Sequence, residues 1–259
     1  MVFICTPNEV HKSIALAALA ASKNVITEKP AMLSVDEIQE VMAAEAASGK
    51  LFFVHQNRRW DEDYLVMKEL YDARSMGDVT HIESRIDGSR GIPGDWRRDP
   101  SRGGGMVLDW GVHLVDRLLL MVPAPVKTVY SRLSYSMGAP VEDGFMIYLT
   151  FAGGVEDVEP DAEPVVAGQG MTKTMAPRII DYSKMLKVQD NVEVLPLPRL
   201  DTDVNDFYRN VLAVIEGTAP KAVTNESVVR CMRVLEAARK SHETNTVVDL
   251  SGIDTYIAH

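Results

Sequence analysis

Cysteine is nearly missing from this chain: Cys5 and Cys231 are the only two in 259 residues. They are too few for a disulfide framework and suit a reducing cytoplasm. Positive charge is in deficit as well. Lys and Arg number 27 against 37 Asp and Glu, a net charge of -10, which argues against a nucleic-acid footprint or a polybasic membrane anchor. The longest apolar helix pattern, residues 106–122, falls short of the ~20 residues of a membrane span and carries charge in its middle. Met1 to Asn8 offers neither a basic region nor an apolar run of signal-peptide length. Missing too are a Gly-x-Gly-x-x-Gly after a strand, a Walker sequence and a paired-cysteine metal site. What remains is 46% hydrophobic and 25% charged, the composition of a globular protein with a substantial core. The expectation is a soluble, cytoplasmic protein with no nucleic-acid or membrane partner.

The first third alternates short apolar runs with helical patterns. Val2–Cys5 reads as a buried strand ended by Thr6-Pro7-Asn8, with Asn8 as N-cap of an Ala-rich helix from Glu9 to Ala21. Asn24–Thr27 is the next strand, closed by Glu28-Lys29-Pro30. Ser34-Val35-Asp36-Glu37 is a capping box opening a helix that Gly49 stops, and Leu51–Val54 is a third strand. This is parallel α/β winding. Right-handed crossovers gather Thr6-Pro7-Asn8, Glu28-Lys29-Pro30 and Gln56-Asn57-Arg58 on one rim, the edge where open α/β sheets bind ligands. Asp61–Arg74 is a further helix, and the texture changes near residue 77. Strand patterns follow at Val79–Asp87, Val126–Tyr135, Gly144–Phe151, near Val165, at Leu186–Val188 and at Val247–Leu250. Helical ones fall at Asp203–Glu216 and Asn225–Ser241, the latter capped by Asn225. Gly88–Gly105 is a long loop, and Gly153–Met175 is irregular. A second, mixed and β-rich domain therefore begins near residue 77.

Residues 106–122 follow three glycines, Gly103-Gly104-Gly105, and stop at Pro123 and Pro125. Their polar exceptions, Asp109, His113, Asp116 and Arg117, share one stripe of an otherwise apolar helix. Such a helix is either a cleft wall or a core helix with one wet edge. Lys29 is either surface punctuation before a proline or a lysine that polarises a substrate oxygen. Thr6, Asn8 and His11 are either ordinary capping residues or donors facing a polar ligand. Arg58-Arg59 and Trp96-Arg97-Arg98 are either a solvated patch or ligand contacts. Asp109 and His113 have metal-ligand spacing, but no third ligand is placed to join them, so no metal is expected.

Taken together, Ile4-Cys5-Thr6-Pro7-Asn8-Glu9-Val10-His11, Glu28-Lys29-Pro30, Asn57-Arg58-Arg59-Trp60 and Gly103-Gly104-Gly105 through Asp109-Trp110-Gly111-Val112-His113 resemble the Gfo/Idh/MocA oxidoreductases. Asp206-Phe207-Tyr208 and Arg233 to Ala238 resemble the closing helices of that family. The resemblance covers most of the chain and weakens across about residues 153–200. It implies an α/β fold: a partial Rossmann-type parallel sheet (second half only) in residues 1–76, then an α+β domain with an open, mainly antiparallel sheet in residues 77–259. It implies NAD or NADP as cofactor, and a sugar, cyclitol or related polyol as substrate. Lys29 and His113 would handle the substrate hydroxyl with Asp109 beside them. Thr6, Pro7, Asn8, His11, Glu28, Lys29, Asn57, Trp96 and Arg97 would line the cofactor site. A homodimer or homotetramer would form through the C-terminal sheet. Physically, an imidazole of near-neutral pKa suits removal of a hydroxyl proton, and an ammonium suits developing alkoxide charge. Asp109, reaching the imidazole, would orient it and favour its protonated form.

In that family the glycine-rich phosphate loop precedes the Thr-Pro-Asn strand, and here Met1 stands almost at that strand. The expectation is an N-terminally truncated chain lacking on the order of 60–70 residues, at ~30 per βαβ unit. Two alternatives remain open from sequence. One is a glycosidase or lyase of the same fold using NAD for transient oxidation. The other is a non-catalytic sugar-binding or assembly module that has lost dinucleotide binding.

Overall fold

Three short apolar runs, each closed by turn residues, pair into the first sheet. The computed structural model describes residues 1–75, 77–87, 91–152, 183–188, 191–196 and 200–253, with 183–188 and 191–196 described by backbone alone. Strands β1 (Val2–Ile4), β2 (Val25–Thr27) and β3 (Phe52–Val54) are parallel, in the order β1-β2-β3, with Val2, Val25 and Phe52 in register. Every residue of β2 and β3 is buried, as in strands covered on both faces. Helices α1 (His11–Ala20) and α2 (Val35–Ser48) are the crossovers and lie side by side, with Ala15 and Ala18 buried on α1. Ser34 caps α2, its hydroxyl accepting from the Glu37 amide at 3.2 Å, and Gly49 ends the helix at φ +62°.

Asn8 does not cap α1, contrary to the expectation. It sits in a 3₁₀ turn, Asn8–Val10, and its buried amide donates to the Gly103 carbonyl at 2.8 Å. A buried carboxamide needs a partner, and the distant loop supplies one. After α3 (Glu62–Asp72), the strand expected at Val79–Asp87 is not formed. Ile82, Ser84 and Ile86 are half-buried and His81, Glu83, Arg85 and Asp87 exposed, so the alternation is present from residue 81 on. Among the described residues, however, it has no ladder neighbour.

The long loop is organised by two 3₁₀ turns, Trp96–Arg98 and Pro100–Arg102, capped by the Asp95 and Asp99 side chains. The apolar helix follows, but it does not start as an α-helix. Val107–Gly111 is a π-turn, and α4 (Val112–Met121) continues from it. The remaining strands are β4 (Val126–Ser134), β5 (Gly144–Phe151), an isolated hairpin of β6 (Ser183–Val188) and β7 (Asn191–Pro196), and β8 (Val248–Asp249). β5-β4-β8 form an antiparallel sheet. The expected strand near Val165 and the tract Gly153–Met175 lie outside the described residues.

Helices α5 (Asp206–Ile215) and α6 (Asn225–Thr244) close the chain. The cap of α6 is Thr224, which accepts from the Ser227 amide at 3.2 Å, not Asn225 as expected. Asn225 and Lys221 turn instead to the Glu45 carboxylate on α2. On its other side α6 packs on β4, where the Ser131 amide donates to Ser241 Oγ at 3.0 Å. The apolar core runs without a break from Ile4 in β1 to Leu250 after β8.

Three elements meet on one buried cation. Arg59 Nε and Nη2 donate to the two Asp116 carboxylate oxygens at 2.8 and 2.6 Å. Nη2 also donates to Ser227 Oγ at 2.9 Å and Nη1 to the Ala222 carbonyl at 2.8 Å. Arg59, expected in a solvated patch or a ligand contact, is 6% exposed and Asp116 3%. Removing either partner strands the other charge, so Arg59→Ala and Asp116→Ala are each expected to cost about 3–5 kcal/mol in urea unfolding. A loss below about 1 kcal/mol would contradict this account of the pair.

Candidate active site

The C-terminal ends of the parallel strands place their loops together, and α4 with its π-turn comes up against them. Lys29 leaves the end of β2 and crosses to the π-turn. Its ammonium donates to the Asp109 carbonyl and to Asp109 Oδ1, both at 2.7 Å. Arg97 Nε donates to the other carboxylate oxygen at 3.2 Å, and its Nη1 pairs with Asp95 at 2.8 Å. The Arg97 guanidinium lies 4.7 Å from the centre of the Trp96 ring. Burial pushes the Asp109 carboxyl up, but the Lys29 and Arg97 charges outweigh it and hold its pKa below the ordinary carboxylate value.

The π-turn explains why Asp109 and His113 are not partners. An α-helix stacks residues four apart, whereas a π-turn is wider and shifts that register; here the Val112 amide reaches back to the Val107 carbonyl. Asp109 therefore faces Lys29 and Arg97, and no bond joins it to the imidazole among the described residues. His113 is 5% exposed, its ring edge-on to Trp110 at 5.9 Å, and its Nδ1 has no hydrogen-bond partner. Burial, then the charges of Lys29, Arg58 and Arg117, lower its pKa well below the ordinary imidazole value. The expected carboxylate-favoured, protonated imidazole is replaced by a neutral one.

The glycine run serves protein packing. At Gly104 a Cβ would run into the Arg97 and Asp99 carbonyls, and at Gly105 (φ +101°) into the Glu142 carboxylate. Glu142 occupies the start of the π-turn and α4: its carbonyl accepts from the Met106 amide at 3.0 Å and its Oε1 from the Val107 amide at 3.1 Å. A carboxylate there satisfies orphan helix amides and complements the positive end of the dipole.

Of the remaining expected residues, Glu28 pairs with His55, Oε1 to Nδ1 at 2.8 Å. Burial raises the Glu28 pKa, but the His55 hydrogen bond and the Lys29 charge bring it below its ordinary value. Thr6 and Pro7 are half-buried at the end of β1, and Asn57 is half-buried in the 3₁₀ turn Asn57–Trp60 after β3. Asn8 and His11 are buried, with Asn8 Nδ2 donating to the Gly103 carbonyl and both His11 ring nitrogens 3.0 Å from backbone carbonyls. Arg58 lies over Trp110, 4.8 Å from the ring centre, and pairs with Asp61. Sequence reasoning missed His55 and Glu142. Neither carried a signal: Glu142 sits with Asp143 in what reads as an ordinary hairpin turn.

Thr6 Oγ1, Gln56 Oε1, Arg58 Nε and His113 Nδ1 are buried without partners, all on these rim loops or the helix facing them. Buried polar atoms are seldom left so, and a polar ligand lodged among them fits that chemistry. No group of three or more His, Cys, Asp or Glu among the described residues is arranged to hold a metal.

Residues 1–56 match the family model described as oxidoreductase family, NAD-binding Rossmann fold, and residues 64–156 the GFO/IDH/MocA C-terminal domain. The solved structure of an NAD-binding protein from Listeria innocua is 34% identical, covering 95% of this chain and 77% of that one, with a TM-score of 0.83. The uncharacterized oxidoreductase YdgJ of Escherichia coli is 32% identical over 152 residues, 58% of this chain. That match spans 44% of YdgJ, less than half its length. The scyllo-inositol 2-dehydrogenase (NADP(+)) IolW of Bacillus subtilis is 23% identical over 283 residues, 96% of this chain and 78% of that protein.

Because the folded Asp109 pKa is depressed, its stabilisation is present above about pH 3.9, the unfolded value, and is lost as pH falls through the folded one. The wild-type melting temperature should therefore fall more steeply than that of Asp109→Asn below about pH 4. At pH 7 the variant should be less stable by about 3 kcal/mol, with Lys29 left unpaired. Parallel melting curves would refute it.

Proposed function

The chain belongs to the Gfo/Idh/MocA family, and on that premise we propose that it transfers hydride between a nicotinamide dinucleotide, NAD or NADP, and a hydroxyl-bearing or carbonyl carbon of a sugar, cyclitol or related polyol. The observation that carries this reading is the ammonium of Lys29, held at 2.7 Å by two Asp109 oxygens close to an imidazole that is neutral. An ammonium has three hydrogens, and two are spent on Asp109. The third is free to donate to a substrate oxygen. Neutral His113 takes the hydroxyl proton as general base, and Lys29 stabilises the charge that develops on oxygen. Asp109 keeps the Lys29 ammonium aimed, while Arg97 holds the opposite carboxylate edge.

The bound nicotinamide supplies the hydride acceptor. Thr6, Pro7, Glu28, Asn57, Trp96 and Arg97 line its site. In this reading residues 1–76 serve the cofactor and residues 77–259 serve the substrate and assembly, with copies meeting through the outer face of the β4–β5 sheet. The two cysteines are free thiols, which suits action in the cytoplasm.

The test is titration of the purified chain with NADH and NADPH by fluorescence, followed by turnover on a panel of sugars and inositols. His113→Ala should lower kcat by about 100-fold to 10,000-fold, the usual worth of a general base. Because the base acts unprotonated and its folded pKa lies well below 6.5, kcat/KM for alcohol oxidation should stay level from neutral pH to below pH 6.5 and fall only in more acid buffer. No dinucleotide binding, or full activity in His113→Ala, would end this reading.

A further inference from the structure

We propose that His11 is a positioning residue for Lys29, coupling the Thr6-Pro7 loop to the catalytic ammonium, and that it makes no contact with the dinucleotide. The inference rests on the catalytic role proposed for Lys29. His11 is 0% exposed, so no ligand reaches it. Its ring lies between two loops of the rim: Nδ1 is 3.0 Å from the Pro30 carbonyl and Nε2 3.0 Å from the Thr6 carbonyl. A ring with one N–H donates to only one of these carbonyls, and we assign that N–H to Nδ1 and Pro30, leaving Nε2 in contact with Thr6.

The geometry around Lys29 makes this contact consequential. Lys29 is a long side chain that must deliver its ammonium to two oxygens of one residue, so the root of the chain has to be fixed. Before it, the Glu28 amide donates to the Ile4 carbonyl at 2.9 Å. After it comes Pro30, which has no N–H to anchor the turn, so its carbonyl is the available handle and His11 takes it. On the same turn of chain, Asn8 donates to the Gly103 carbonyl at 2.8 Å, at the head of the segment carrying Asp109. One helical entry thus holds both banks of the Lys29–Asp109 pair. Its other arm, on Thr6, passes any displacement of the cofactor-side loop to Lys29.

Two substitutions separate the arms. The amide nitrogen of Asn sits about where Nδ1 does, and that of Gln about where Nε2 does. His11→Asn therefore keeps the Pro30 arm, His11→Gln keeps the Thr6 arm, and His11→Ala keeps neither. Turnover at saturating cofactor should rank wild type, then His11→Asn, then His11→Gln and His11→Ala, the last two down at least ten-fold. NADH affinity should stay within about three-fold throughout. Acetylation of Lys29 by acetic anhydride, followed by peptide mass spectrometry against Lys23 as reference, should rise several-fold in the Gln and Ala variants and less in Asn.

The proposal falls if Lys29 acetylation is unchanged in all three variants, or if NADH affinity drops in step with kcat. It also falls if Gln rescues better than Asn. A wild-type chain that turns over no polyol would remove the functional reading instead, and the acetylation result would still decide the role of His11. Should Ala fail to fold, the Asn and Gln pair carries the same comparison.

Discussion

The structure is organised around a rule about buried charge: a cation taken out of water must be met on every side. Arg59 satisfies it, with each of its three nitrogens bonded to Asp116, Ser227 or the Ala222 carbonyl. That single guanidinium ties the exit of β3 to α4 and to the start of α6. Because the core on both sides is continuous, the pair lies within the packing and joins the two sheets through it. The parallel strands and α4 are thereby held in one geometry, and everything at the rim inherits that geometry.

The rim concentrates charge of both signs. Lys29, Arg58 and Arg97 gather about Asp109 and His113, and the consequences diverge. The carboxylate is stabilised as an anion by Lys29 and Arg97, while the imidazole is pressed toward its neutral form by burial and by Lys29, Arg58 and Arg117. Both groups are held deprotonated, one as a fixed anion beside the Lys29 ammonium and the other as a neutral imidazole able to accept a proton. The π-turn makes this separation possible, since an unbroken α-helix would have set Asp109 one turn from His113 and invited them to pair.

Much of the fold was readable because local chemistry agreed with the final packing. Ser34 capping α2, Gly49 ending it, and the apolar runs of β1, β2 and β3 are short-range decisions, settled by residues within a turn of each other. The ligand rim followed from handedness alone. Where sequence and structure part, a distant partner outbid a near one. Asn8 gave up its own helix for Gly103, and Asn225 left its cap to Thr224 for Glu45 on another helix. Val79–Asp87 kept a strand's alternation without a strand's neighbour among the described residues.

The candidate site divides along the same line. Sequence by itself determined its members: Lys29 at a strand end, Asp109 and His113 on a glycine-led apolar helix, Trp96-Arg97 on the loop before it. Residue type, spacing and the winding of the chain placed them on a rim and a helix face, and the family resemblance named them as candidates. Only the tertiary structure decided who meets whom. Asp109 belongs to Lys29 and Arg97 and not to His113, Glu142 caps the helix from a remote hairpin, and His11 meets the Pro30 carbonyl next to Lys29 from inside the core. Spacing along a chain specifies which face a residue takes. Partner choice between buried polar groups is a competition over three-dimensional distance, which no one-dimensional pattern records.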